Sequence, residues 1–258
     1  MTSRTIRIPL PEAKGEMIAR LWESEADRAP LVLLHDSLGA IATWRDFPER
    51  LAARLDRSVI AYDRWGFGES SARPLRPSAR FIEEEAEIYL PRVLDTLGVR
   101  EFALFGHSVG GAMAVTAAAH FGSRCQAVIS ESAQAFVEDR TRTGIEAAAT
   151  KFARPEVFAK LEKYHGPKTA WVIDAWIGVW LSPEFRDWSL RSTLAHVTSP
   201  LLILHGDQDE YGSARFPETL RDGAAGSTEM HLLTDCGHVP HREKPDLILD
   251  LVAEFLVR

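Results

Sequence analysis

The chain has 258 residues, 45% of them hydrophobic, with 30 Lys and Arg against 37 Asp and Glu, a formal net charge of −7. That length supports one large domain with a substantial buried core. The acidic balance argues against a nucleic-acid binder, which carries a basic patch. Two cysteines, Cys125 and Cys236, are too few for a disulfide framework and read as free thiols in a reducing compartment. The first fifteen residues hold no apolar core of signal-peptide length, and runs such as LVLL and LLIL are far too short to span a bilayer. A cytoplasmic protein with no membrane anchor is expected, acting on a small neutral or weakly charged molecule. A homo-oligomer is left open.

Short β-type runs alternate with helical patterns along most of the chain, the signature of a parallel sheet with helices on both faces. Residues 5–8 and 17–22 predict an opening hairpin. Residues 31–34 are apolar throughout, as in a strand buried on both faces. Over 43–55, Trp44, Phe47, Leu51 and Leu55 make one helical stripe. A strand follows at 58–62, then a long amphipathic helix at 78–97 ended by Gly98. A strand at 102–105, an alanine-rich helix at 112–120 ended by Gly122 and a strand at 127–130 come next. Residues 133–196 then show helical patterns and no convincing strand, which is too long for an ordinary connection. Strands resume at 201–204 and 230–233, and an amphipathic helix over 246–257 closes the chain.

The most specific local signal is Gly106-His107-Ser108-Val109-Gly110, a G-x-S-x-G pattern with a predicted strand before it and a helix after it. A serine on such a tight turn is pushed above the sheet, and the flanking glycines remove side chains that would clash. The helix start offers free N–H groups and a positive dipole end to a developing oxyanion. A serine hydroxyl needs a base to take its proton. His238, in Asp235-Cys236-Gly237-His238, follows the last strand and is placed to serve. The histidine needs a carboxylate to hold its tautomer. Asp209, in His205-Gly206-Asp207-Gln208-Asp209, is the first choice and Asp207 the competitor. All three follow different strands, and open α/β sheets bind ligands at the carboxyl ends of their strands.

These motifs resemble the α/β-hydrolase superfamily over nearly the full chain, in its lidded, esterase-like branch. The order Ser108, Asp209, His238 is the order that fold uses. The resemblance implies an eight-stranded, mostly parallel sheet flanked by helices. It implies a core of residues 1–132 and 197–258 and a helical lid, 133–196, inserted between the sixth and seventh strands. His35-Asp36-Ser37-Leu38-Gly39 resembles the family's oxyanion loop, which implies backbone donors at Ser37 and Val109. Asp36 departs from the pattern, because glycine usually follows that histidine. Asp63-Arg64-Trp65-Gly66-Phe67-Gly68-Glu69-Ser70 resembles a structural D-x-x-G-x-G-x-S loop. His35, His107, His205, His231 and His241 read as residues that orient loops. No spacing suggests a metal site such as H-E-x-x-H, and no G-x-G-x-x-G follows the first strand, so neither metal nor cofactor is expected.

The 133–196 segment is rich in large apolar residues, most of which should pack it onto the core. Phe136, Trp171, Trp176 and Trp180 are the candidates to line a pocket for a small apolar or aromatic substrate. The reaction expected is cleavage of an ester or related acyl bond through a serine acyl-enzyme. Carbon–carbon bond hydrolases, acyltransferases, perhydrolases and lyases share the pattern, although the first usually carry asparagine where His107 stands. Epoxide hydrolases and haloalkane dehalogenases usually carry an aspartate in place of Ser108. A non-enzymatic ligand receptor on the same fold is the other reading.

Overall fold

The continuous apolar runs of the sequence form the middle of a sheet, where both faces are covered. In the computed structural model, which describes residues 2–257, eight strands lie in the order β1-β2-β4-β3-β5-β6-β7-β8. They are β1 (Ser3–Leu10), β2 (Gly15–Trp22), β3 (Leu31–Leu34), β4 (Val59–Asp63), β5 (Phe102–His107), β6 (Cys125–Glu131), β7 (Leu201–Gly206) and β8 (Thr228–Leu233). β2 runs antiparallel to both β1 and β4, and every other pairing is parallel. All residues of β3, β4, β5 and β7 are buried, as two-sided coverage requires.

Helices α1 (Phe47–Leu55), α2 (Phe81–Glu84), α3 (Leu90–Leu97) and α4 (Val109–Phe121) connect the first six strands. α5 (Asp139–Phe152), α6 (Pro155–His165), α7 (Thr169–Trp180) and α8 (Arg191–Leu194) lie between β6 and β7. α9 (Arg215–Gly223), α10 (Pro240–Glu243) and α11 (Pro245–Val257) complete the chain. The core divides across the sheet. Val32, Leu104, Met113 and Val128 belong to the face that α3 and α4 cover. Leu33, Phe105, Leu51 and Val252 belong to the face under α1 and α11.

Three helical expectations are corrected. The stripe over 43–55 is a short 3-10 turn, Ile41–Trp44, and then α1, separated at Arg45 with φ 56°. The helix expected over 78–97 begins at Phe81 and passes through a π turn, Glu85–Tyr89, before α3. Pro91 cannot donate to the preceding turn, so the hydrogen-bond ladder rearranges just before it. α9 stands where no helix was expected. Pro217 disguises it, but a proline in the first turn loses no intrahelical bond. Among the described residues, no helix is long and apolar enough to cross a membrane.

Candidate active site

Four loops at the carboxyl ends of parallel strands converge on one point. Ser108 follows β5, Asp209 follows β7, His238 follows β8, and Asp36-Ser37-Leu38 follows β3. This is the rim at which open α/β sheets bind ligands.

Ser108 sits between β5 and α4 with φ 56° and ψ −125°, a backbone conformation that is strained for a residue with a side chain. The turn closes only because its neighbours are glycines. A Cβ on Gly106 would lie 2.1 Å from the carbonyl oxygen of Gly110, and one on Gly110 would lie 2.1 Å from that of Leu34. Both obstacles are backbone and cannot swing aside. Gly110→Ala should therefore lower the melting temperature by about 2–12 °C, read by scanning calorimetry. An unchanged melting temperature would mean that the turn opens freely.

The Ser108 hydroxyl lies 3.0 Å from His238 Nε2, and His238 Nδ1 lies 2.8 Å from Asp209 Oδ2. Asp209 is an acceptor, so Nδ1 carries the hydrogen and Nε2 faces the serine with its lone pair. The other Asp209 oxygen accepts the Tyr211 N–H at 2.8 Å. Burial pushes the Asp209 carboxyl up, but the His238 hydrogen bond and charge, with His205 and the Tyr211 N–H, outweigh it and hold it below its ordinary range. The carboxylate is therefore ionised at neutral pH. Asp207 is exposed and instead accepts the Cys236 N–H at 3.3 Å.

Val109 is the first residue of α4, where a helix leaves its N–H groups without intrahelical partners. Ser37 lines the cavity above Ser108. Asp36 explains how the loop is held without the usual glycine. Its carboxylate accepts the Leu38 N–H at 2.7 Å and faces His107 Nδ1 at 3.4 Å. His35 donates from Nδ1 to the Asp36 carbonyl at 2.8 Å and accepts the Arg64 N–H at 3.2 Å. The loop at 63–70 is a scaffold: Asp63 accepts the N–H groups of Ile41 and Glu69, and the Ser70 hydroxyl donates to the Asp63 carbonyl.

A cavity of about 160 Å³ opens above Ser108. Ile145, Trp176 and Trp180 form its apolar wall, and Gln134 and Tyr211 flank the reactive side chains. Gln134 Nε2 lies 3.4 Å from the Ser108 hydroxyl. Two of the expected pocket residues lie elsewhere. Trp171 packs its ring edge over Gly66 and against Phe67, because it stands on a different side of α7 from Trp176. Phe136 stacks edge-on against Phe216, with Arg191 and Arg215 over its ring. Asp174, on the same helix as Trp171, is half-exposed and pairs with Arg76.

The sequence reading missed Gln134, Tyr211 and Ile145 as cavity residues. Ile145 was visible as part of a helical pattern, but nothing local marks Gln134 or Tyr211, which reach the site through loops.

Residues 31–251 match the model of a family described as the alpha/beta hydrolase family. A proline iminopeptidase of Lactobacillus delbrueckii subsp. lactis is 30% identical, but over 41% of this chain and 36% of that relative, so the chain spans about a third of its length. A proline iminopeptidase of Lactobacillus helveticus is 24% identical over 96% of both chains. Among solved structures, a 2-hydroxy-6-oxo-6-phenylhexa-2,4-dienoate hydrolase from a Rhodococcus species shares the fold with a TM-score of 0.76 and 18% identity over 100% of both chains. Matched along most of its sequence and built on the same sheet, the chain belongs to the alpha/beta hydrolase family.

Proposed function

We propose that the chain is a serine hydrolase that cleaves a carboxylic ester, or a related acyl bond, of a small and largely apolar substrate. The observation that carries this reading is the unbroken chain from the Ser108 hydroxyl through His238 to Asp209, at 3.0 and 2.8 Å. Ser108 attacks the carbonyl carbon while His238 Nε2 takes its proton. The N–H groups of Val109 and Ser37 receive the oxyanion. The leaving alcohol departs with the proton from His238, and water then hydrolyses the acyl-enzyme through the same base. Asp209 remains ionised and stabilises the imidazolium. The helical segment between β6 and β7 acts as a lid, since α5 and α7 supply Ile145, Trp176 and Trp180 to the cavity.

The test is a series of p-nitrophenyl esters from acetate to laurate. kcat/KM should peak at the short end, and Trp176→Ala should move the optimum to longer chains by about tenfold in relative preference. A wild-type optimum at laurate would contradict the cavity's role. The full-length likeness to a proline iminopeptidase favours a second reading, in which the acyl group is an aminoacyl residue and the bond an amide. Prolyl p-nitroanilide turned over faster than any ester would establish it.

A further inference from the structure

We propose that His107, oriented by Asp36, is a positioning residue that locks the loop of His238 and the oxyanion loop onto the turn of Ser108; the proposal rests on the serine-hydrolase reading above. His107 Nε2 lies 2.8 Å from the backbone carbonyl oxygen of His238, across 131 positions of sequence. Its Nδ1 faces Asp36 Oδ2 at 3.4 Å. One imidazole, adjacent to Ser108 in the chain, therefore grips both loops that must meet the nucleophile. Base, oxyanion loop and serine follow three separate strands, and this ring touches the first two from its place beside the third.

The same contacts favour its charged form. The His238 carbonyl oxygen calls for a hydrogen on Nε2, and the Asp36 carboxylate facing Nδ1 at 3.4 Å favours a second hydrogen there, which makes the ring an imidazolium. Burial alone would oppose the charge, but the Asp36 hydrogen bond, then Glu131, outweigh it and raise the group above its ordinary value. The ring is surrounded on every side. Asp36 faces it from the loop after β3, His238 from the loop after β8 with ring centroids 5.2 Å apart, and His241 from α10 at 5.0 Å. Glu131, at the end of β6, is held by the N–H and Nδ1 of His241 and adds its negative charge from behind. Trp44 closes the remaining side. Asp36 is anchored in turn by the Leu38 N–H, and Arg64 donates to its carbonyl. The departure of Asp36 from glycine and the presence of His107 are thus one feature.

The sign of the pH effect follows. As pH rises through the raised value, the imidazolium loses one N–H and can keep only one of its two contacts. The His238 loop or the oxyanion loop is then released, and kcat should fall on the alkaline side. Asp36→Asn removes the carboxylate that raises the group, so this limb should move to lower pH by about one unit.

The experiment measures kcat and KM against pH for p-nitrophenyl butyrate on wild type, Ser108→Ala, His107→Ala, His107→Gln and Asp36→Asn, with circular dichroism of each. His107→Ala should lose about 10- to 100-fold in kcat with KM held within about threefold, since misplacement of about 1 Å costs that much. His107→Gln should recover most of the loss, because its amide nitrogen reaches about where Nε2 stood, and should lack the alkaline limb. Should His107→Ala fail to fold, the Gln and Asn variants decide alone. A folded His107→Ala with wild-type kcat, a Gln variant that keeps the wild-type alkaline limb, or an Asp36→Asn profile identical to wild type would overturn the proposal. Turnover that survives Ser108→Ala would instead indict the serine reading on which it rests.

Discussion

Replacement of Ser108 by alanine should lower kcat/KM for short p-nitrophenyl esters by about 10⁴-fold or more. The hydroxyl has an imidazole at 3.0 Å and a buried carboxylate behind it. In the proposed mechanism no acyl-enzyme forms without the hydroxyl, and what remains is oxyanion stabilisation of attack by water. The alanine should fold normally, because Ser108 makes its structural contact through its backbone N–H, which donates to the Glu131 carbonyl at 2.8 Å. Stopped-flow release of p-nitrophenolate checks the size of the loss. A variant within tenfold of wild type would remove Ser108 from the mechanism.

Asp209→Asn should lower kcat by about 10³- to 10⁴-fold. Asp209 accepts two hydrogen bonds at once, from His238 Nδ1 and from the Tyr211 N–H. Asparagine has one acceptor oxygen for those two donors. If the oxygen stays with Tyr211, the amide points an N–H at His238. The ring then takes the other tautomer, with its hydrogen on Nε2 facing Ser108, and can no longer accept a proton there. Even with the correct tautomer, the neutral amide cannot stabilise the imidazolium. Asp207→Asn should change kcat by less than about threefold, since Asp207 is exposed and its contact is a single N–H of Cys236. Comparable losses in both variants would leave the acid unassigned.

The parts of this site that the sequence made legible are those with a local cause. Gly106 and Gly110 are forced by backbone carbonyls 2.1 Å from where their Cβ atoms would lie, so the turn writes itself into five consecutive residues. His238 and Asp209 were readable because each follows an apolar run that ends at the same rim. The central strands β3, β5 and β7 were readable because burial on two faces demands unbroken apolar stretches, whereas β1, β2 and β8 are partly exposed and carry only broken runs. The remainder depends on packing between distant segments. Trp171 and Trp176 share one helix and one residue type, yet one ring covers Gly66 and the other lines the cavity. Periodicity counts apolar positions without saying which neighbour each meets. The effects of Pro91 and Pro217 are decided by their context: the first stands where the hydrogen-bond ladder shifts before α3, and the second sits harmlessly in the first turn of α9. Asp36 was visible as a departure, but its meaning rests on His107, 71 positions away.

The proposed mechanism needs a Ser108 hydroxyl made reactive by its neighbours, and labelling with a fluorophosphonate tests that directly. The serine oxygen attacks phosphorus, fluoride leaves, and the proton passes to His238. Tryptic digestion isolates residues 101–124, the stretch that contains Ser108. One phosphonyl group per chain is expected, on Ser108, with labelling slowed by about 10²-fold or more in His238→Gln. An unmodified 101–124 peptide, or labelling that proceeds equally fast without the imidazole, would contradict the mechanism.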